Sequence, residues 1–218
     1  MSCCAHCKAT DEHFGLDAAR RDLERYRRRG PDATTRLMLD EIGSASLRGG
    51  SLLDIGAGIG VIHHELLSGA IARATHVEAA SAYVTVAREE DVRRGAEESV
   101  DYVLGDAVEL SDDLPAADLV TLDRVICCYP DWESLVRVSA LKAGRLYAFS
   151  VPHDRWYVRT AVAISNLARR LRGDDFRVFV HPVGEIDGIL VARGFRRIAR
   201  RRTFVWHAAL YRAREPTL

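Results

Sequence analysis

Between residues 51 and 151, short apolar runs alternate with amphipathic ones. That alternation predicts a strand–helix repeat of the α/β kind. The runs 51–54, 73–78, 100–107, 118–123 and 145–151 read as five strands. Val61–Leu67 is amphipathic and reads as a helix directly after the first strand. Upstream, 11–29 forms a charged helix carrying Leu23 and Tyr26, stopped by Gly30 and Pro31, and 34–42 a second with Leu37, Met38 and Ile42 as its apolar face. Downstream, 154–172 reads as a long helix bearing Trp156, Tyr157, Val158, Val162, Ile164 and Leu167, and 184–193 as another. The runs 195–202 and 204–211 then form an antiparallel pair. A single domain over 1–218 is expected: an N-terminal cap (1–47), a core (48–151), a helical insert (152–182) and a closing helix with a β-hairpin (183–218).

The first strand ends at Asp54, and glycines follow at alternate positions, Gly56, Gly58 and Gly60. A strand–glycine loop–helix unit in an α/β sheet is a nucleotide-type site at the carboxyl end of its strand. The spacing is D-x-G-x-G-x-G rather than the dinucleotide G-x-G-x-x-G. A carboxylate two residues before the first glycine repels a pyrophosphate and suits a cationic, amino-acid-bearing ligand. The segment 53–60 resembles motif I of the class I S-adenosylmethionine (SAM) methyltransferases. That resemblance implies SAM as cofactor, with Asp54, Gly56, Ala57, Gly58 and Gly60 around it. It also places Glu78 and Ala79, at the end of the second strand and 18 residues after Gly60, at the ribose. Asp106 and Ala107 would face the adenine, and Asp123 would lie at the ligand edge. The implied fold is Rossmann-like, a seven-stranded, mostly parallel sheet with a C-terminal antiparallel hairpin, an N-terminal helical cap and a helical insert after the fifth strand.

Composition narrows the class without naming the acceptor. With 48% hydrophobic and 28% charged residues the chain can bury a core and is not disordered. No apolar run approaches the ~20 residues of a spanning helix and the N-terminus has no signal-peptide core, so a cytoplasmic enzyme is expected. Charge balances at 31 basic against 31 acidic residues, yet from Arg155 onward fourteen arginines face five acids. That excess fits either a solvated face or an anionic partner. No RNA-binding signature accompanies the arginines, so nucleic acid is not expected. Cys3, Cys4, His6 and Cys7 cluster as soft metal ligands would, but no second pair exists to close a zinc site, and a thiol-bearing terminus is the plainer reading. Cys127 and Cys128 are expected to end a buried strand and line the pocket. No disulfide is expected.

The stretch 122–131, the insert leading to His181 and Pro182, the segment 194–201 and Phe14 before an arginine-rich helix resemble the magnesium-protoporphyrin O-methyltransferases. Those enzymes carry Tyr-Phe where this chain has His13 and Phe14, and a His near Cys127 and Cys128. The architecture and cofactor are therefore carried over and the porphyrin is not. The expected reaction is in-line methyl transfer to a small-molecule acceptor, at oxygen, with a carboxylate among the options. A hydroxyl acceptor gains from a general base, and His13, His153 and His181 are the candidates. Arg124 and Tyr129 lie where an acceptor should sit, and Arg155 and Arg159, four apart on the insert helix, could clamp an anionic one beside Trp156 and Tyr157. Two other readings stay open: a nicotinamide-dependent oxidoreductase, and a non-catalytic SAM- or metal-binding protein using the cysteine cluster.

Overall fold

The computed structural model describes residues 5–214, with side chains from Lys8 onward. The Cys3, Cys4, His6 and Cys7 cluster therefore lies outside the described side chains. In chain order the elements are α1 (Ala5–His13), α2 (Leu16–Arg29), α3 (Ala33–Ser44), β1 (Gly50–Ile55), α4 (Val61–Leu66), β2 (Ile71–Glu78), α5 (Ser81–Arg94), β3 (Val100–Leu104) and β4 (Ala117–Asp123). There follow α6 (Trp132–Lys142), β5 (Ala143–Pro152), α7 (Trp156–Leu171), α8 (Val183–Ala192), β6 (Phe195–Arg202) and β7 (Trp206–Ala213).

The strands form one seven-stranded sheet in the order β3-β2-β1-β4-β5-β7-β6. Strands β1 to β5 pair in parallel, and β7 runs antiparallel between β5 and β6. This is the Rossmann-like class I methyltransferase fold. Because side chains alternate along a strand, neighbouring residues feed opposite faces. Leu53, Val120 and Tyr147 pack under α6 and α8, beside Leu135, Val136, Ile186 and Leu190. Leu52, Leu119, Leu146 and Leu210 pack on the other face under α3 and α4, beside Met38, Ile42, Ile62 and Leu66. Each such buried aliphatic or aromatic side chain stabilises the fold by about 1.5–3 kcal/mol. A third cluster docks the cap, where Ala19, Leu23 and Tyr26 of α2 meet Tyr83 and Val86 of α5. Strand order reverses between β1 and β4, the switch point outside whose carboxyl ends an open α/β sheet binds ligands.

Several expectations shift locally. The third strand stops at Leu104, because Gly105 (φ +147°) turns the chain before Asp106. Cys127 and Cys128 lie beyond the end of β4, in a short 3-10 turn at 126–128 that follows Arg124, itself at φ +61°. The last strand begins at Trp206 and not Phe204, since Thr203 donates its N–H to the Trp206 carbonyl and closes a turn. The insert helix α7 forms as expected but buries only Val158 fully. Trp156, Ile164, Leu167 and Leu171 face solvent. Trp156, expected beside an anionic acceptor, is 78% exposed.

Candidate functional site

At the switch point a cavity of about 680 Å³ opens between the carboxyl ends of β1, β2 and β4 and the cap. That volume is in the range of small-molecule and cofactor sites. Nine of the ten cofactor candidates line it: Asp54, Gly56, Ala57, Gly58, Glu78, Ala79, Asp106, Ala107 and Asp123. Gly60 does not. It sits at φ +86° as the residue before α4, and a Cβ there would lie 2.4 Å from the His63 ring. Its lack of a side chain serves the packing behind the loop, not the ligand side.

Asp54 is buried at the end of β1 and accepts from the Thr121 hydroxyl at 2.6 Å through one oxygen. Its other oxygen has no partner. Burial pushes its carboxyl up to about 8, with the Asp123 and Glu78 carboxylates adding to the rise and Thr121 opposing it. A buried carboxylate with an open oxygen beside a glycine loop is a receptor for a cation. Glu78 is held differently. It accepts from the backbone N–H groups of Gly58 at 2.9 Å, Ala79 at 2.8 Å and Ala80 at 2.9 Å. Burial nevertheless pushes its pKa above the usual carboxylate value. Glu78 thus ties the loop to the head of α5 while presenting carboxylate lone pairs to the cavity. Asp106 accepts the Tyr129 hydroxyl at 2.9 Å and the Val108 N–H at 2.8 Å. Tyr129 lines the cavity as a partner of Asp106.

Asp123 is spent inside the protein. It accepts from Ser150 and from Thr35 at 2.5 Å, and lies 3.6 Å from the Arg124 guanidinium. Arg124 lines the cavity but is tied at 2.6 Å to Asp32, the residue that caps α3. Cys127 and Cys128 also line it. The hydrogen bond with Cys128, and then burial, push the Cys127 thiol well above its ordinary value, so it is not a thiolate nucleophile.

The catalytic candidates separate. His13, at the end of α1, lines the cavity, with Nδ1 2.9 Å from the Asp174 carboxylate and its ring stacked on Phe176 at 4.4 Å. His153 does not reach the cavity: its ring lies 3.0 Å from the Thr203 carbonyl and its backbone N–H bonds Val205, pinning the end of β5 to the hairpin turn. His181 is packed between Phe179 and Trp132 and lies outside the lining too. Arg155 and Arg159 form no clamp, for Arg159 pairs with Asp154 and both stand away from the cavity. The arginines that do line it, besides Arg124, are Arg25, Arg29 and Arg169. Sequence reasoning missed these and missed Asp174 and Phe176, because nothing in local spacing relates the cap to a loop some 160 residues away.

Residues 53–140 match the family model described as "Methyltransferase domain". Among solved structures, magnesium protoporphyrin IX methyltransferase (ChlM) from Synechocystis PCC 6803 with bound SAM superposes with a TM-score of 0.70 at 15% identity, over 98% of this chain and 100% of that one. Residues 53–140 are thus similar to methyltransferase domains, and the chain as a whole shares the fold of that SAM-bound enzyme. YcgJ protein from Bacillus subtilis aligns at TM-score 0.65 and 17% identity, over 83% of this chain and 99% of that one. An O-methyltransferase family 2 protein from Planctomyces limnophilus, in complex with apigenin, aligns at 0.60 and 14%, over 84% and 62%. No curated protein sequence matches the chain at a significant level. The residues present suit the methyltransferase cofactor: the unpartnered Asp54 oxygen offers a site for its cationic part, and open space beside Gly58, where a Cβ would meet only Tyr83 at 3.8 Å, lets the backbone approach it. Among the described residues no helix is long and apolar enough to cross a membrane.

Proposed function

We propose that this protein methylates a hydroxyl oxygen of a small acceptor that carries an anionic group. Supporting this is the His13–Asp174 pair in the cavity wall. Asp174 accepts the Nδ1 proton of His13, which fixes the tautomer and leaves Nε2 as the basic nitrogen. Bound SAM would supply a methyl group activated by its sulfonium sulfur, whose positive charge disappears on transfer. Nε2 of His13 would take the proton of the acceptor hydroxyl as the methyl passed to its oxygen and the bond from methyl carbon to sulfur broke, the cofactor leaving as a neutral thioether. Asp174 then stabilises the imidazolium. Phe14 and Phe176, edge-to-face at 5.0 Å, form an apolar wall against which an acceptor would lie. The anionic group would be met from the cap side. Arg25 is shared with Asp22 at 3.1 Å, and Arg169 lies 3.8 Å from Asp174. Arg29, at the end of α2, makes no such ion pair among the described residues, so it is the preferred anchor.

His13→Gln should lower kcat about a hundredfold, the lower end of the range for general bases because the donor is already activated, with SAM affinity unchanged. Wild-type kcat in this variant would defeat the proposal and point to a carboxylate oxygen, which needs no base. Arg29→Gln should raise the acceptor KM about tenfold and flatten its dependence on salt, leaving SAM binding alone. Steady-state kinetics at two ionic strengths, paired with calorimetry of SAM binding, measure both.

A further inference from the structure

Behind the glycine loop, facing away from the cofactor cavity, four side chains with metal-ligand chemistry meet in the interior. α4 supplies His63 and His64, β2 supplies His76 and α5 supplies Asp91. Three are fully buried and His64 is 6% exposed. Nε2 of His63 lies 3.1 Å from one Asp91 oxygen, and Nε2 of His64 lies 3.0 Å from the other. The first contact is a hydrogen bond, and the Tyr102 hydroxyl donates to the same oxygen. The second is close but misaligned, so His64 Nε2 and Asp91 Oδ1 have no hydrogen-bond partner. Neither do Nδ1 of His63 and His64, nor either nitrogen of His76. Nine buried side-chain polar atoms among the described residues lack a partner, and six of them belong to this cluster. Native interiors leave few such atoms, and six on four neighbouring side chains call for a physical cause.

We propose that His63, His64 and Asp91 form a structural site for a zinc-type divalent ion, with His76 as the nearest candidate for a fourth ligand. One donor atom from each of the three lies within 4.8 Å of the others. Ligands about 2.0–2.2 Å from a tetrahedral ion stand roughly 3.3 Å apart, close to the nitrogen–oxygen separations in the cluster. Two imidazoles and one carboxylate select a zinc-type ion over calcium or magnesium, which take oxygen ligands. The ring of His76 lies 5.4 Å from that of His63 and 5.2 Å from that of Tyr102. For His63 to ligate through Nε2 its proton moves to Nδ1, and the Tyr102 hydroxyl remains as the bond that orients the carboxylate. Full burial marks a structural centre, since catalytic zinc keeps a position open to solvent or substrate. Tyr26 lines a separate surface cavity and stacks on His64 at 5.8 Å, which gives a short route from solvent. The ion would join α4 to α5 directly behind Gly60, where the loop already fits against both rings.

The test uses the full chain with Cys3, Cys4 and Cys7 replaced by serine, so that thiolates contribute nothing. After dialysis against chelator, the protein is titrated with zinc sulfate and separately with cobalt chloride. The expected results are about one zinc per chain by elemental analysis, a melting temperature raised by zinc, and a cobalt absorption spectrum of nitrogen and oxygen ligands. His64→Gln or Asp91→Asn should weaken zinc binding at least about tenfold and abolish the thermal shift, and His76→Phe should weaken it less. Zinc retention unaffected by His64→Gln and Asp91→Asn would overturn the site. So would absence of both the thermal shift and the cobalt spectrum in the serine background, a result that holds whether or not the variants fold, and the cluster would then be a hydrogen-bonded core.

Discussion

Asp54→Asn should weaken SAM binding about a hundredfold to a few thousandfold at pH 8.5 and remove most of its pH dependence. The carboxylate is buried, one oxygen is held by Thr121 and the other is open. Breaking a buried charge pair by neutralising one partner costs about 3–5 kcal/mol, which sets that range. Before ligand arrives, burial holds the Asp54 carboxyl near 8, so at pH 6 it is mostly protonated. A cationic ligand must then displace that proton, and wild-type affinity should rise as pH climbs from 6 toward 8 and level off above it. Calorimetry in buffers of different ionisation enthalpy would register the released proton. The same shift has an opposite sign for the free protein. A carboxyl raised in the folded state contributes stability that is fully present below its unfolded value near 4 and is lost as pH rises through 8. The asparagine variant escapes that loss, so without ligand it should melt above wild type at pH 8 and not at pH 4. A SAM affinity independent of pH between 6 and 8.5 in the wild type would show that Asp54 does not meet the cation.

The parts of the site that were legible in the sequence are those whose physics is local. Asp54 and Glu78 close β1 and β2 and Asp106 stands just past β3, and a parallel sheet brings all such ends to one edge. The acceptor side was not legible. His13 meets Asp174 through the docking of α1 against the loop after α7, and no periodicity encodes that meeting. Arg155 stands just before α7 in an extended conformation and only Arg159 lies on the helix, so the face their spacing promised does not form. The helix instead rests Val158, Val162 and Asn166 inward and leaves its more apolar stripe outside. His153 was misplaced for a similar reason. It follows β5 as expected, but the pairing of β7 beside β5 captures it in the hairpin turn.

Gly56→Ala and Gly58→Ala should fail in different ways, although the motif presents these glycines as equivalent. Both have positive φ, +64° and +59°, so an alanine at either costs about 1–2 kcal/mol of backbone strain. At Gly56 the new Cβ would lie 2.3 Å from Cγ2 of Val125 and 3.0 Å from its Cγ1. Val125 is branched at Cβ and packs against the core, so it cannot swing clear, and overpacking of this kind adds roughly 1–3 kcal/mol or more. A chain of this size loses about 2–4 °C of melting temperature per kcal/mol, so Gly56→Ala should melt some 5–20 °C lower. Adding Val125→Ala should recover a large part of that loss, because the overlap is with its side chain. At Gly58 the methyl would meet only Tyr83 at 3.8 Å and would stand in the cavity. Gly58→Ala should therefore lose only the strain share, about 2–8 °C of melting temperature, while SAM affinity falls at least about tenfold. Thermal melts of both variants and of the double mutant, with calorimetry on each folded protein, separate the two roles. If Gly58→Ala binds SAM as wild type does, the cofactor does not approach the loop at Gly58. If Val125→Ala gives no rescue, the fragility of Gly56 lies in its backbone conformation alone.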